Sequence, residues 1–134
     1  MQKISVCLIS FLLIFQSSLF AYSSNPKSFI DELVKDAIIK LSDKNLTKEQ
    51  KASFVEKVAT ENVDINALGL YTLGELRKSS SQDEISKYQK SFTQYFLKSL
   101  TSRLTDYSAS EFEILGEDKK SANYTIINSK ISPN

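Results

Sequence analysis

Apolar residues recur at spacings of three and four along the second half of the chain, the period of one face of an α-helix. This apolar stripe consists of Ile85, Tyr88, Phe92, Phe96, Leu100 and Leu104, and is widened by Tyr95 and Leu97. The serines at 79–81 form a break before it, and Ser81 followed by Glu84 has the form of a capping box that starts a helix. The pattern predicts one long helix that could pack against a sheet and still line a cavity.

Shorter runs with the same spacing predict three helices upstream. The first begins at Asn25, an N-cap residue followed by proline. Thr47 with Gln50 forms a second capping box, and Asp64 is a suitable N-cap for a third helix that ends near Gly74. Their apolar faces are Phe29, Ile30, Leu33, Val34, Ala37, Ile38 and Leu41, then Phe54, Val55, Val58 and Ala59, then Ile65, Leu68, Tyr71 and Leu73.

Towards the end of the chain the apolar residues alternate instead, which is typical of β-strands. Phe112 and Ile114 are two positions apart, as are Tyr124 and Ile126. The polar segment 116–123 between them contains glycine, so it predicts the loop of an antiparallel hairpin.

These patterns predict an α+β fold in which N-terminal helices pack on an antiparallel sheet. Serine, proline and asparagine at positions 132–134 predict another turn after the second strand. Because a two-stranded hairpin is marginal by itself, we expect that only the first two strands of the sheet are present and that the natural sequence continues.

The composition narrows the possible chemistry. With 41% hydrophobic and 25% charged residues, the chain resembles a single soluble globular domain, and 17 basic against 16 acidic residues leave no charge surplus to attract nucleic acid. With 0 His and 1 Cys, zinc sites made from these residues and the commonest general base are excluded. An enzyme would depend on carboxylates such as Asp64 or Glu75, which lie outside the apolar stripe. We therefore expect no catalytic residue, no metal site and no cofactor.

Residues 1–21 have the pattern of a cleavable signal peptide, because Lys3 precedes an apolar run that ends at Ala21. Cleavage is expected after Ala21 or, failing that, after Ser23. The alternative is an uncleaved membrane anchor, which the polar residues at 16–18 and the shortness of the run disfavour. The chain is therefore expected to be exported.

The expected mature chain, residues 22–134, forms a single domain without cysteine, since Cys7 lies in the apolar run. Small exported domains often depend on disulfides, so this domain must be stabilised by its apolar core. Export removes one of the 17 basic residues and none of the 16 acidic ones, which leaves the mature chain formally neutral.

From about Asn25 onwards the sequence resembles the MlaC, or toluene-tolerance, family of periplasmic phospholipid-binding proteins. Members have an N-terminal helix, an Asp before an apolar segment that closes on Leu and Gly, an Arg, a Ser or Thr turn, and a long helix with spaced aromatic residues. The corresponding residues are Asp64, Leu73, Gly74, Arg77, Ser81, Phe92, Phe96 and Tyr107. Leu76 stands where the family usually has Trp, and the sequence stops before the family's remaining strands and its C-terminal helical segment.

The resemblance implies a carrier in which helices and a curved sheet of the nuclear-transport-factor-2 type enclose the acyl chains of a phospholipid. It also implies transfer between an inner-membrane ABC transporter complex and an outer-membrane lipoprotein complex, by a monomer. Each acyl CH₂ taken from water contributes about 0.8 kcal/mol, so apolar walls suffice for affinity. The residues expected to contact lipid are Leu68, Tyr71, Leu73, Phe92, Phe96, Leu100, Leu104 and Ile126.

Other interpretations of the same residues remain open at this point. The apolar stripe could be ordinary core, or could dock a partner helix in an adaptor of the cell envelope, which requires it to be exposed. Arg77 could contact a phosphate or only complement a helix end. A cavity enzyme on the same kind of fold is a further alternative. The acceptor tripeptides at Asn45 and Asn123 are coincidental in a bacterial periplasmic protein.

Overall fold

The computed structural model describes residues 22–106 and 109–133. Within these ranges, helices precede a two-stranded antiparallel sheet, which confirms the predicted α+β class. The elements are α1 (Pro26–Ser42), α2 (Lys48–Asn62), α3 (Ile65–Thr72), α4 (Leu76–Ser79), α5 (Gln82–Leu104), β1 (Ala109–Ser121) and β2 (Tyr124–Pro133). The expected signal peptide and Tyr107 lie outside the described residues.

Helix starts follow the predicted caps. The capping boxes that begin at Thr47 and Ser81 are both complete, with reciprocal bonds between each N-cap and the residue three positions later. Asn25 and Asp64 each accept a hydrogen bond from the backbone N–H three residues later, at 3.0 and 2.9 Å. The caps therefore determine where α1, α2, α3 and α5 begin.

The break before α5 is shorter than predicted. Gly74 has a φ of 55°, in the left-handed region that suits glycine after a helix end, and it terminates α3. The chain then forms the short helix α4, which includes Ser79, so only Ser80 and the N-cap Ser81 separate α4 from α5. The prediction of a break at residues 79–81 was wrong for Ser79, because this residue belongs to the single helical turn of α4.

The hairpin is longer than predicted, and its connection is shorter. Residues 122–123 alone join the strands, and most of the segment 116–123, predicted as a loop, belongs to β1. Its charged residues pair with β2, for example Glu117 with Ile127 and Asp118 with Ile126. Residues 117–124 are exposed, so their polar side chains remain in water and an extended strand carries no desolvation cost there.

The turn predicted at residues 132–134 was wrong at its first two positions, and Asn134 lies outside the described residues. Ser132 pairs with Glu111, and Pro133 pairs with Ala109 at the last position of β2. Proline is tolerated there because it is at the end of a strand rather than within a central strand.

Three irregularities interrupt the register of β1. They fall between Ala109 and Glu111, between Ile114 and Gly116, and between Lys119 and Ser121. Since a β-bulge bends its strand and increases the local twist, repeated bulges on one strand curve the hairpin.

The principal neighbours of α5 are α2 and α3, whereas the hairpin packs mainly on α1. The expected packing of the long helix on the sheet is therefore replaced by helix-on-helix packing. Among the described residues, the buried apolar side chains are Leu41, Val55, Ala59 and Ile65, so a small core lies between the helices. In the described part of the chain, no helix combines the length and hydrophobicity needed to cross a bilayer.

Candidate functional site

A groove of about 310 Å³ lies between α1, α2 and the C-terminal end of α5. We refer to it as the helical groove. Its lining residues are Phe29, Ile30, Leu33, Ala37, Leu41, Phe54, Val55, Val58, Ala59, Asn62, Val63, Leu100 and Leu104. Asn62 is the polar member of this set, and its side-chain amide donates a 2.8 Å hydrogen bond to the Val58 carbonyl. The groove can hold hydrocarbon but offers no acid, base or nucleophile for catalysis.

The groove follows from two amphipathic helices that turn their apolar faces toward each other. The loop 43–47 joins α1 to α2 and brings the start of α2 next to the end of α1. There the Lys51 ammonium donates to the Leu41 carbonyl at 2.6 Å, and so satisfies one of the unpaired carbonyls at the end of α1. The ammonium of Lys48 lies 2.8 Å from the Asp106 carboxylate, so the start of α2 also lies next to the end of α5.

The opposite end of the groove is flanked by Tyr22. Its ring meets Phe29 edge to face, with centroids 5.9 Å apart and an interplanar angle of 86°. The hydroxyl donates to Asp36 at 3.0 Å. Burial, the bond to Asp36 and the nearby charges of Asp36 and Glu61 raise the pKa of Tyr22 to about 12, so the phenol stays neutral.

The N-terminal and central parts of α5 carry a row of stacked rings, Tyr88, Phe92 and Phe96, which we call the aromatic stack. Neighbouring centroids are 6.0 Å apart in both pairs, with interplanar angles of 27° and 18°. A Cβ placed on Gly69 would lie 3.1 Å from Cδ1 of Phe92, so α3 approaches this ring as closely as its glycine allows. The stack thus belongs to the contact between α3 and α5.

The predicted lipid-contacting residues do not all meet in one cavity. Leu100 and Leu104 line the helical groove, whereas Phe92 and Phe96 lie half-buried in the aromatic stack. Three others are half-buried elsewhere: Leu68 on α3, Leu73 at its end and Ile126 on β2. Tyr71 is 77% exposed. Lipid contact by this set stays a prediction, and the structure favours two of its members as groove residues.

Most of the groove-lining residues were predicted from the sequence to lie on apolar helix faces, but they were not predicted to form a binding site. The residues from α1 and α2 form stripes as broad as the one on α5, and they include Phe29 and Phe54. The available signal was the width of the α1 face, which is more apolar surface than one neighbouring helix covers.

Two of the three charged residues considered for other roles have local partners. Asp64 caps α3, and Glu75 pairs with Lys78 at 2.7 Å. Arg77 is exposed on α4, away from the groove lining. Within residues 22–106 and 109–133, no group of three metal-ligating side chains is placed to hold an ion.

A second depression, of about 540 Å³, lies between α1 and β1. Its lining residues are Lys35, Ile38, Ile39, Glu111, Phe112 and Glu113. The charged side chains in this lining make it less suited to hydrocarbon than the helical groove.

Comparison with known proteins gives one match. A family model described as MlaC protein matches residues 31–134, a span that includes nearly all of the groove lining and the whole hairpin. Neither the curated proteins nor the solved structures contain a match to this chain.

Proposed function

This chain belongs to the MlaC family, and from that membership we propose that it is a periplasmic phospholipid carrier. The family is one of lipid-binding carriers and not of enzymes. In the proposed role, the protein moves lipid between an inner-membrane ABC transporter complex and an outer-membrane lipoprotein complex. No covalent step is required, because the cargo only changes its surroundings.

The observation that carries this proposal is the helical groove. From Phe29 to Leu41 the groove follows α1 for about 18 Å at the helical rise per residue. One leaflet of a bilayer provides about 15 Å of hydrocarbon, half of its apolar thickness, so the groove is as long as an acyl chain in a membrane. Because each buried CH₂ contributes about 0.8 kcal/mol, such a chain supplies the affinity without a strong polar contact.

The geometry favours a carrier over an adaptor that docks a helix on the α5 stripe. That alternative needs the stripe to be exposed, but Phe92, Phe96, Leu100 and Leu104 are half-buried against neighbouring helices. The surface of the stripe is therefore already partly covered by this chain.

Export is part of the proposal. If residues 1–21 are a cleavable signal peptide, the periplasmic form begins at Tyr22 or, after cleavage at the alternative site, at Ser24. N-terminal sequencing of protein from the periplasmic fraction tests this, and an intact Met1 on a membrane-bound product would favour an anchor.

Lipid extraction and mass spectrometry of the protein purified from the periplasm test the carrier function. We expect bound phospholipid in the wild-type protein and its loss in Leu100→Asp, because a carboxylate facing hydrocarbon stays charged at great cost or draws in water. Tyr95→Asp is the matched control on the same helix, since Tyr95 is 70% exposed and lies outside the groove. Wild-type protein without lipid, or equal lipid in the folded Leu100→Asp variant, would contradict the proposal.

A further inference from the structure

The first residues that the structure describes fold back along α1. We refer to residues 22–25 as the N-terminal strap. The backbone N–H of Ser23 donates to the Glu32 carboxylate at 2.9 Å, and the Tyr22 hydroxyl donates to the Asp36 carboxylate at 3.0 Å. Glu32 and Asp36 are about one helical turn apart, so the strap follows α1 from its start towards its middle.

Tyr22 connects the strap to the helical groove through Phe29. The two rings meet edge to face with centroids 5.9 Å apart, and Phe29 is part of the groove lining. Phe29 and Asp36, the two residues of α1 that Tyr22 contacts, are about two helical turns apart and therefore lie on one side of the helix. The Phe29 ring at this end of the groove is thus supported by a side chain that does not itself line the groove.

The contacts of Tyr22 are partly shielded from water. Tyr22, Phe29 and Asp36 are half-buried, and a hydrogen bond to a carboxylate is stronger than one between neutral groups. The pKa of Tyr22 is raised to about 12, so the phenol keeps the proton that it donates to Asp36. The charge of Glu61, in the last turn of α2, also acts on the hydroxyl, so Tyr22 lies close to both α1 and α2.

We propose that Tyr22 is a positioning residue of the lipid site, which keeps Phe29 in place as the wall at its end of the groove. The inference rests on the proposed carrier function and deepens it, because a carrier has to retain its phospholipid between two membranes. Without the Tyr22 ring, Phe29 is free to turn away from the groove, and the hydrocarbon beside it is then exposed to water. The bound phospholipid is therefore released faster.

The proposal gives the site of signal-peptide cleavage a functional consequence. Cleavage after Ala21 leaves Tyr22 as the first residue of the mature chain, whereas cleavage after Ser23 removes the Tyr22 ring and the Ser23 contact together. The two expected mature forms should therefore differ in how long they retain lipid.

Release is measured with phosphatidylglycerol that carries pyrene on one of its two acyl chains, transferred from the exported protein to excess unlabelled vesicles. Tyr22→Ala should release this lipid about threefold to tenfold faster than the wild-type protein, the range that the loss of an aromatic pair corresponds to. Tyr22→Phe keeps a ring against Phe29 and should restore most of the slow release. Tyr124→Ala, at a tyrosine that is 58% exposed on β2 and outside the groove lining, is the matched control.

Unchanged release by folded Tyr22→Ala overturns the positioning role but leaves the carrier function intact. A wild-type protein that binds no phospholipid overturns both. Because the substitutions lie next to the expected cleavage site, N-terminal sequencing checks that each variant begins at residue 22.

A double-mutant cycle tests whether Tyr22 acts through Phe29. Phe29→Leu keeps the groove lining apolar but removes the ring that Tyr22 contacts. In this background Tyr22→Ala should not accelerate release further, because the contact through which it acts is already lost. A general loosening of the start of α1 acts in both backgrounds, so an equal acceleration in both would refute the positioning role.

The two mature forms provide the last comparison. Deletion of residues 22–23 from the precursor gives a chain that begins at Ser24 after cleavage at Ala21. This form should release the pyrene-labelled lipid as fast as Tyr22→Ala does. Equal release by the Tyr22 and Ser24 forms would overturn the proposal, as would a natural periplasmic protein that begins only at Ser24.

Discussion

The two halves of α5 carry one continuous apolar stripe but have different surroundings. In the N-terminal half, Phe92 lies between Tyr88 and Phe96 and against Gly69 of α3. In the C-terminal half, Leu100 and Leu104 face the helical groove. A single helical period therefore serves close packing at one end and a ligand-sized space at the other.

The difference comes from the partner helices. α3 is short and has a glycine where it meets Phe92, so the two backbones come close and the ring fills the contact. At the other end of α5, Leu100 and Leu104 share the groove with larger side chains, among them Phe54 of α2 and Phe29 of α1. Whether a residue of the α5 stripe lines a cavity therefore depends on the residues of the helix that it faces as much as on the stripe itself.

The largest expected effect compares truncations in the two halves. Phe92→Ala should lower the free energy of unfolding by about 3 kcal/mol, because it removes a ring from a close contact. Leu104→Ala should lower the free energy of unfolding by only about 1 kcal/mol, because it enlarges a space that already exists. Urea denaturation of the lipid-free proteins measures both values, and a cost for Leu104→Ala equal to that for Phe92→Ala would mean that the groove end is packed as core.

The next effect concerns the close approach at Gly69. Gly69→Val should lower the free energy of unfolding by about 1 to 3 kcal/mol through overpacking against Phe92, and adding Phe92→Leu should restore part of the loss. Gly116→Val is the matched control, since a Cβ there meets no atom within 4 Å. Strictly additive costs in the double variant would show that the two positions do not touch.

A smaller effect is expected at the start of α5. Ser81→Ala removes the side-chain acceptor of the capping box and should cost about 1 kcal/mol in urea denaturation. Ser91→Ala, at an exposed position within the same helix, should cost nothing. Equal losses in the free energy of unfolding for the two variants would show that the Ser81 cap does not stabilise the start of α5.

The smallest effect is a pH dependence. Hydrogen bonds from the Ser81 backbone N–H and hydroxyl hold the pKa of Glu84 below its ordinary value of 4.5. A lowered carboxyl pKa gives stability that is present above the ordinary value and is lost as the pH falls through the lowered one. Glu84→Gln should therefore reduce the loss of thermal stability between about pH 5 and pH 3. An acid profile identical to that of the wild-type protein would exclude this contribution.

Local chemistry made the helices predictable. Capping residues and a 3.6-residue period are local signals, and the caps at Asn25, Thr47, Asp64 and Ser81 all form as expected. The extent of the hairpin was not predictable in this way, because residues 117–121 are polar on an exposed strand and have no alternating pattern. Strand pairing supplies their structure, and pairing is a long-range property.

The groove was only partly predictable for the same reason. Leu100 and Leu104 came from the α5 stripe, but their separation from Phe92 and Phe96 depends on which helix faces each half. Phe29 and Phe54 had the required apolar character in the sequence, and only the antiparallel arrangement of α1 and α2 brings them to the same space. Facing residues from distant parts of the chain cannot be paired by periodicity alone.

Photocrosslinking tests most directly whether lipid occupies the helical groove and not the aromatic stack. A phospholipid with a diazirine in its acyl chain is bound to the exported protein and irradiated, and the protein is digested with trypsin. Cleavage after Lys90 and Lys98 separates peptide 91–98, with Phe92 and Phe96, from peptide 99–103, with Leu100. Adducts are expected on 99–103 and on the α1 and α2 peptides that line the groove, with none on 91–98. Adducts concentrated on peptide 91–98 would contradict the groove assignment and place the lipid at the aromatic stack.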